Sequence, residues 1–261
     1  MAVRKKVAKK VAAKRGASKS IATMAGWESK LAEMARDESA KEVSTDSDNI
    51  TWPMGGGTFE YKGSELGNTM SVIIVDSTYV NTYYDRPIDP DNMCPPACFA
   101  IGDIQGDMVP DESSPVAQAD SCAECEKNEF YSAAGGGKGK ACRNGRKLAV
   151  LDPEAEEVVA YMNIPPTSIK AYSGHVKKVE AKYKRPVFAV ITDLGFDDNV
   201  DYAKLTFDFV ETIENPEVMQ RIMDVRENNA EIMRKPFDVS GYTEPPSRGA
   251  SKRAPARGRR K

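Results

Sequence analysis

All five cysteines of this 261-residue chain lie between positions 94 and 142. Cys122-Ala-Glu-Cys125 is a CxxC pair, and Cys142 follows after sixteen residues within GGGKGKACRNGRK. A CxxC turn lets two thiolates face one cation at about 2.3 Å each, and nearby glycines let backbone N–H groups approach the sulfurs. A closed structural site needs a fourth ligand, from Cys94, Cys98 or His175. Cys98 is assigned, because it opens an apparent strand, CFAIG, while Cys94 sits in DPDNMCPP and the only histidine falls in the middle of a helical stretch. The metal set is therefore Cys98, Cys122, Cys125 and Cys142, with structural zinc as the expected ion. An iron–sulfur cluster uses the same thiolates. An odd cysteine count in a cytosolic setting disfavours a disulfide framework, and the CxxC lacks the strand-then-helix context of a thioredoxin-like redox pair.

Beside these cysteines, Gly135 to Lys147 reads as a basic loop carrying Lys138, Lys140, Arg143, Arg146 and Lys147, with only glycine, alanine, cysteine and asparagine between them. Phosphate contact is the natural use of such a patch, and a solvated loop tip is the plainer one. Tyr79, Tyr83, Tyr84 and Phe207 are candidates for base stacking, together with Phe59, Tyr61 and Phe99, since all lie on predicted strands. Each stacked base contributes about 1–3 kcal/mol. Most strand aromatics belong to cores, so only two or three are expected to be exposed, and Tyr83 and Tyr84 cannot both face inward.

Enzyme motifs fail. GGGKGKA lacks the Gly and Ser/Thr that a phosphate-binding loop needs at Ala134 and Ala141. Glu180-Ala-Lys182 resembles a nuclease ExK but lies on a predicted helix, and Asp193, Asp197, Asp198 and Asp201 offer carboxylates to a divalent cation but read more plainly as an acidic turn between strands. One histidine and no Ser/His/Asp arrangement leave hydrolase chemistry without support.

The elements that must position these groups are mainly β. TFEYKG (58–63) and MSVIIVDSTYVNTYYD (70–85) are rich in Val, Ile, Thr and Tyr and read as two paired strands, with GSELGN as their turn. CFAIGDI (98–104), KLAVLD (147–152) and VVAYMNI (158–164) are further strands. A helix follows over Ser168–Tyr183, with Ile169, Tyr172, Val176 and Val179 on one face. Two strands, VFAVITDLGF and KLTFDFVETI, and a final helix from Pro216 to about Lys235 complete the folded part. Strands, one helix, then two strands is the order of an OB barrel with insertions.

Charge divides the chain. Residues 1–20 contain eight basic residues and residues 245–261 contain seven, with no acid in either. Between 21 and 244 stand 22 basic against 39 acidic residues, a net charge of −17. Tails of this composition are expected to be disordered and to favour polyanions, whereas the acidic body repels DNA unless its carboxylates gather away from the binding groove. No run approaches the roughly 20 apolar residues of a membrane span, and no secretory signal is apparent, so a cytoplasmic protein is expected.

WPMGGGTFEYKG with MSVIIVDSTYVNTYYDRP, CFAIG with CAECEKNEFYSAAGGGKGKACRNGRKLAVL, and IPPTSIKAYSGHVKKV with RPVFAVITDLGFD and YAKLTF together resemble bacteriophage single-stranded DNA-binding proteins with a cysteine-containing insertion, over roughly residues 50–210. The resemblance implies an OB-like antiparallel barrel with a zinc-binding insertion, in which Cys98, Cys122, Cys125 and Cys142 match the recurring cysteines and GKGKACRNGRK matches a basic loop. The expected organisation is a basic tail (1–20), an amphipathic helix and linker (21–50), an OB-like domain (51–214) with its insertion at about 94–146, a C-terminal helix (215–240) and a basic tail (241–261). The expected function is non-enzymatic: binding single-stranded DNA in phage replication, recombination or repair, in the host cytoplasm. The alternative is a zinc-stabilised transcription or replication factor that works through protein contacts.

Overall fold

The structure, a computed structural model, describes residues 48–53, 55–87, 94–134 and 137–244, apart from the side chains of 155–158. Both basic tails from 1–20 and 245–261, and the amphipathic helix expected near 23–40, lie outside the described residues.

Ile50–Thr51 (β1), Phe59–Tyr61 (β2) and Ser64–Gly67 (β3) form a small antiparallel sheet. Lys62 and Gly63, both with positive φ (50° and 76°), make the tight two-residue turn that matches strand twist. GSELGN is thus not merely a turn, and β2 pairs with its short neighbours rather than with the long strand. Met70–Tyr83 (β4), Cys98–Gly102 (β5), Cys142–Asp152 (β6), Ala155–Ile164 (β7), Val190–Phe196 (β8) and Leu205–Thr212 (β9) build a six-stranded antiparallel sheet in the order β7-β6-β4-β8-β9, with β5 also pairing β4. The helices are Pro166–Tyr183 (α1) and Pro216–Met233 (α2), and the class is mainly β, α+β.

The run Val72-Ile73-Ile74-Val75 is buried throughout because the sheet is covered on both faces. Val72 and Ile74 join Leu148, Val150, Met162, Ile164, Leu194, Leu205, Tyr172 of α1 and Phe59 in one core. Ile73 and Val75 meet Leu151 and Ile222 of α2 in a second. A β-bulge between Ile74 and Asp76 shifts the register of β4 against β6.

The six strands do not close into a barrel. The outer edge of β7 is taken by the approach to β1: Tyr161 donates its N–H to the Asp48 carbonyl (2.7 Å) and bridges Asn49. β9 forms no ladder with β7. The buried stripe of α1 is Ser168, Tyr172, His175 and Val179, which brings the histidine into the interior. Ile169 and Val176 lie only half-buried. Among the described residues no helix is long and apolar enough to cross a membrane.

Candidate metal centre and nucleic-acid interface

Cys98 opens β5 and Cys142 opens β6. Both stand opposite Tyr83 of β4, one on either side. Cys122 and Cys125 come from the connection between β5 and β6. All four are buried, none forms a disulfide, and together they line a single cavity of about 10 Å³ with Asn81, Tyr83 and Asn128. Burial pushes the Cys98 and Cys122 thiols up, and Cys142 is pushed up to about 12, first by burial and then by Cys122, Cys125 and Cys98, against a small opposing pull from Lys140. Burial and the neighbouring sulfurs thus favour the protonated thiol at Cys98, Cys122 and Cys142. The four cysteines share a cavity without forming a coordination shell: among the described residues no three His, Cys, Asp or Glu side chains are spaced as a metal-ligand set. In number and donor chemistry they fit a closed zinc site.

A buried asparagine network fixes this end of the sheet. Asn144 donates to Asn81, directly opposite on β4 (2.7 Å), and to Asn128 (3.0 Å). Asn128 in turn donates to the Cys122 carbonyl (2.7 Å) and accepts from Lys140 (3.1 Å). Polar groups buried this deeply are costly unless bonded, so the network ties the cysteine-bearing connection to the two strands that carry it. Cys94 is half-buried and does not line the cavity. His175 bonds Thr192 Oγ1 (3.0 Å) beside Phe207, inside the main core.

The basic stretch is divided by the start of β6. Lys138 is exposed and Lys140 half-buried, its ammonium 5.2 Å from the centre of the Phe130 ring. Arg143, Arg146 and Lys147 belong to β6, not to a loop, and the insertion ends at Ala141. The cysteine at 142 has to pair with β4 to reach the cavity, so strand geometry extends five residues upstream of KLAVLD. Arg143 is exposed, 6.0 Å over the Tyr84 ring. Arg146 lies half-buried between the Tyr79 and Tyr172 rings (4.2 and 4.8 Å), and Lys147 sits over Tyr161 (4.7 Å), its pKa lowered by burial. Tyr79, Tyr83 and Tyr84 are each half-buried. Phe207 is not a stacking platform: it is 8% exposed, edge-on to Tyr172, because the inward face of β9 looks at α1.

The exposed aromatics lie elsewhere. Phe130 and Tyr131 are 70% and 71% exposed, on the connection between Cys125 and Cys142. Tyr131 holds a positive φ of 69°, a sparsely populated state for a residue with a side chain. Its N–H donates to the Lys138 carbonyl, Ala133 donates to Gly139, and Ala141 donates to Ser132 Oγ. These bonds bring 131–133 against 138–141, and the Phe130 ring lies beside Lys140. The signal in the sequence is an aromatic pair in KNEFYSAAGGG, a stretch with no apolar periodicity that could bury it.

The sheet face opposite the main core is occupied. Tyr161 bonds Asn229 of α2 (2.5 Å), Lys147 reaches the Ile232 carbonyl, and Arg226 pairs with Asp76 (3.3 Å). Beyond α2 the chain continues across β5: Arg234 pairs with Asp103 (2.7 Å), Phe237 packs edge-on to Phe99, and Tyr242 donates to Asp85. The β8–β9 connection exposes Asp198 and Asp201, while Asp197 is held by Lys204 (2.6 Å) at a pKa of about 2.

No protein-family model matches the chain, and neither a curated protein nor a solved structure does.

Proposed function

We propose that this chain is a single-stranded DNA-binding protein whose contact surface is the cysteine-bearing connection between β5 and β6, with a role in replication, recombination or repair. The observation that carries the reading is the exposed Phe130–Tyr131 pair close to Lys138 and Lys140, on a segment whose Cys122 and Cys125 share one cavity with Cys98 and Cys142. Exposed rings next to cations are what sequence-tolerant binding of single strands requires: π-faces for bases and positive charge for phosphates.

The strand order supports an OB-type framework. Taking β4, β6, β7, β8 and β9 as its five strands, the first pairs both the second and the fourth, with α1 between the third and fourth. The closing pair is left unmade. OB folds bind nucleic acid through the face of the second and third strands and through the loops after the first and fourth. Here α2 covers that face, and the loop after the fourth strand is acidic. The loop after the first strand remains, and it is the cysteine-bearing segment.

Zinc is the ion the donor set favours, and Cys98, Cys122, Cys125 and Cys142 would hold it. Bound there, it would supply a cross-link and a charge that keeps the thiols deprotonated, coupling metal occupancy to folding of the segment. Four thiolates and one Zn²⁺ leave two negative charges, which Lys140 and Lys127 stand close enough to offset.

The test is a titration of the full chain, with bound metal quantified, against a fluorescent oligo(dT) and a duplex of equal length at two salt concentrations. Tight, salt-sensitive preference for the single strand, lost in Phe130→Ala, supports the reading. Equal affinity for both forms overturns it.

A further inference from the structure

β4 is bare along part of one edge. β8 pairs with it only at Met70–Val72 and β5 only at Tyr79–Tyr83. The gap opens into a cleft of about 600 Å³ walled by α1, the Arg185–Phe188 turn and α2. The cleft is rich in arginine within a body that is strongly acidic overall. Three of its arginines are already paired: Arg226 with Asp76 (3.3 Å), Arg234 with Asp103 (2.7 Å) and Arg185 with Glu214 (3.4 Å).

Arg146 is different. It forms no ion pair among the described residues, its Nη2 donates to Ser77 Oγ (2.9 Å), and its Nε is buried with no hydrogen-bond partner. The Tyr79 and Tyr172 rings clasp the guanidinium from two sides. A half-buried guanidinium with an unpartnered Nε and no counter-anion is a costly arrangement, and the rings hold it preorganised for one. Lys177, exposed at the mouth of the cleft, also has no ion pair among the described residues.

We propose that this cleft binds a phosphomonoester, the dianionic phosphate of a nucleotide or of the 5′ end of a DNA strand. Two unpaired cations match its charge, which is close to −2 at neutral pH. Arginine's fork of N–H donors suits phosphate oxygens, and Ser77 and Ser173 add hydroxyls on the wall. The volume lies within the range of small-ligand sites. A diester, with one charge and two ester arms, belongs in an open groove, whereas a terminal phosphate enters end-on. Glu180, also at the wall and without an ion pair, opposes the anion and limits affinity.

The experiment is calorimetric titration of the full chain with dTMP, using thymidine as the uncharged control. Expected are one dTMP per chain, no detectable thymidine binding, and a loss of about fivefold in Lys177→Gln, as for one partly screened charge. Arg146→Lys should lose more, because a point charge replaces the fork, and Glu180→Gln should gain affinity. Because Lys177 and Glu180 are exposed, they keep the test valid should Arg146→Lys fold poorly. Short oligo(dT) with and without a 5′-phosphate separates the two sources: a phosphate-dependent gain that Arg146→Lys abolishes identifies strand ends, and dTMP binding without such a gain identifies free nucleotide. Equal affinity for dTMP and thymidine, or no response to any of the three substitutions, overturns the proposal. Phe130→Ala should leave dTMP binding unchanged, so this failure and that of the DNA-binding reading are separable.

Discussion

Tyr131→Gly should make the protein more stable and a weaker DNA binder at once. With φ at 69° and 71% exposure, Tyr131 carries backbone strain while its ring gives the core nothing. A residue with a side chain in the left-handed region costs on the order of 1–3 kcal/mol. Glycine removes that cost and returns about 0.5–1 kcal/mol of it through the looser unfolded chain. The net gain is about 1 kcal/mol, a rise of about 2–4 °C in Tm for a domain of this size. The same change deletes one stacking surface, about 1–3 kcal/mol, and so raises Kd for oligo(dT) by roughly 5- to 150-fold. Scanning calorimetry reads the first effect, and fluorescence anisotropy at low salt the second. A Tm lowered by several degrees would make the ring a structural element, and an unchanged Kd would remove it from the binding surface.

Cys142→Ser, or exposure of the wild type to a chelator, should abolish bound metal and lower Tm. A variant that melts as the wild type does, with its metal gone, refutes the structural role. Phe207→Ala should cost about 3–5 kcal/mol of stability through the cavity it leaves, yet the folded fraction should bind oligo(dT) as before; a selective loss of affinity would return Phe207 to the interface. Lys147→Met should leave both DNA affinity and its salt dependence unchanged, because the ammonium is engaged with Tyr161 and the Ile232 carbonyl. Burial lowers the pKa of His175 below its ordinary 6.5, so the unfolded chain takes up a proton before the folded one does. Its contribution is constant at higher pH and is lost as pH falls through 6.5 towards the folded value. Denaturation of wild type and His175→Gln between about pH 7.5 and 5.5 checks this, and a pH-independent difference would contradict it.

The six strands of the main sheet and both helices could be read from β-branched runs and helical periodicity, because both cores demand apolar residues at regular intervals. That Cys98, Cys122, Cys125 and Cys142 line one cavity agrees with their type and spacing, although they are not spaced there as a ligand set. What escaped the sequence was set by long-range pairing. Where β6 begins depends on Tyr83 of β4, so Arg143, Arg146 and Lys147 looked like loop residues. The inward direction of Phe207 is decided by α1, and barrel closure by the Asp48–Asn49 segment at the edge of β7. Phe130 and Tyr131 lie in a stretch with no strand signal, and a short backbone fold presents them.

The cross-chain fastening of the cysteine-bearing segment also bears on the order in which the protein is made. Asp85 and Arg86, just after β4 and ahead of all five cysteines, are held by Tyr242 and Thr243, 157 residues later in the chain. At ribosomal speeds of about 5–20 residues per second, roughly 8 to 30 s separate their synthesis. All five cysteines emerge well before the latch formed by Tyr242 and Thr243. A nascent chain stalled or cleaved ahead of Phe237 would therefore carry its thiols with that latch unmade, open to exchange and oxidation.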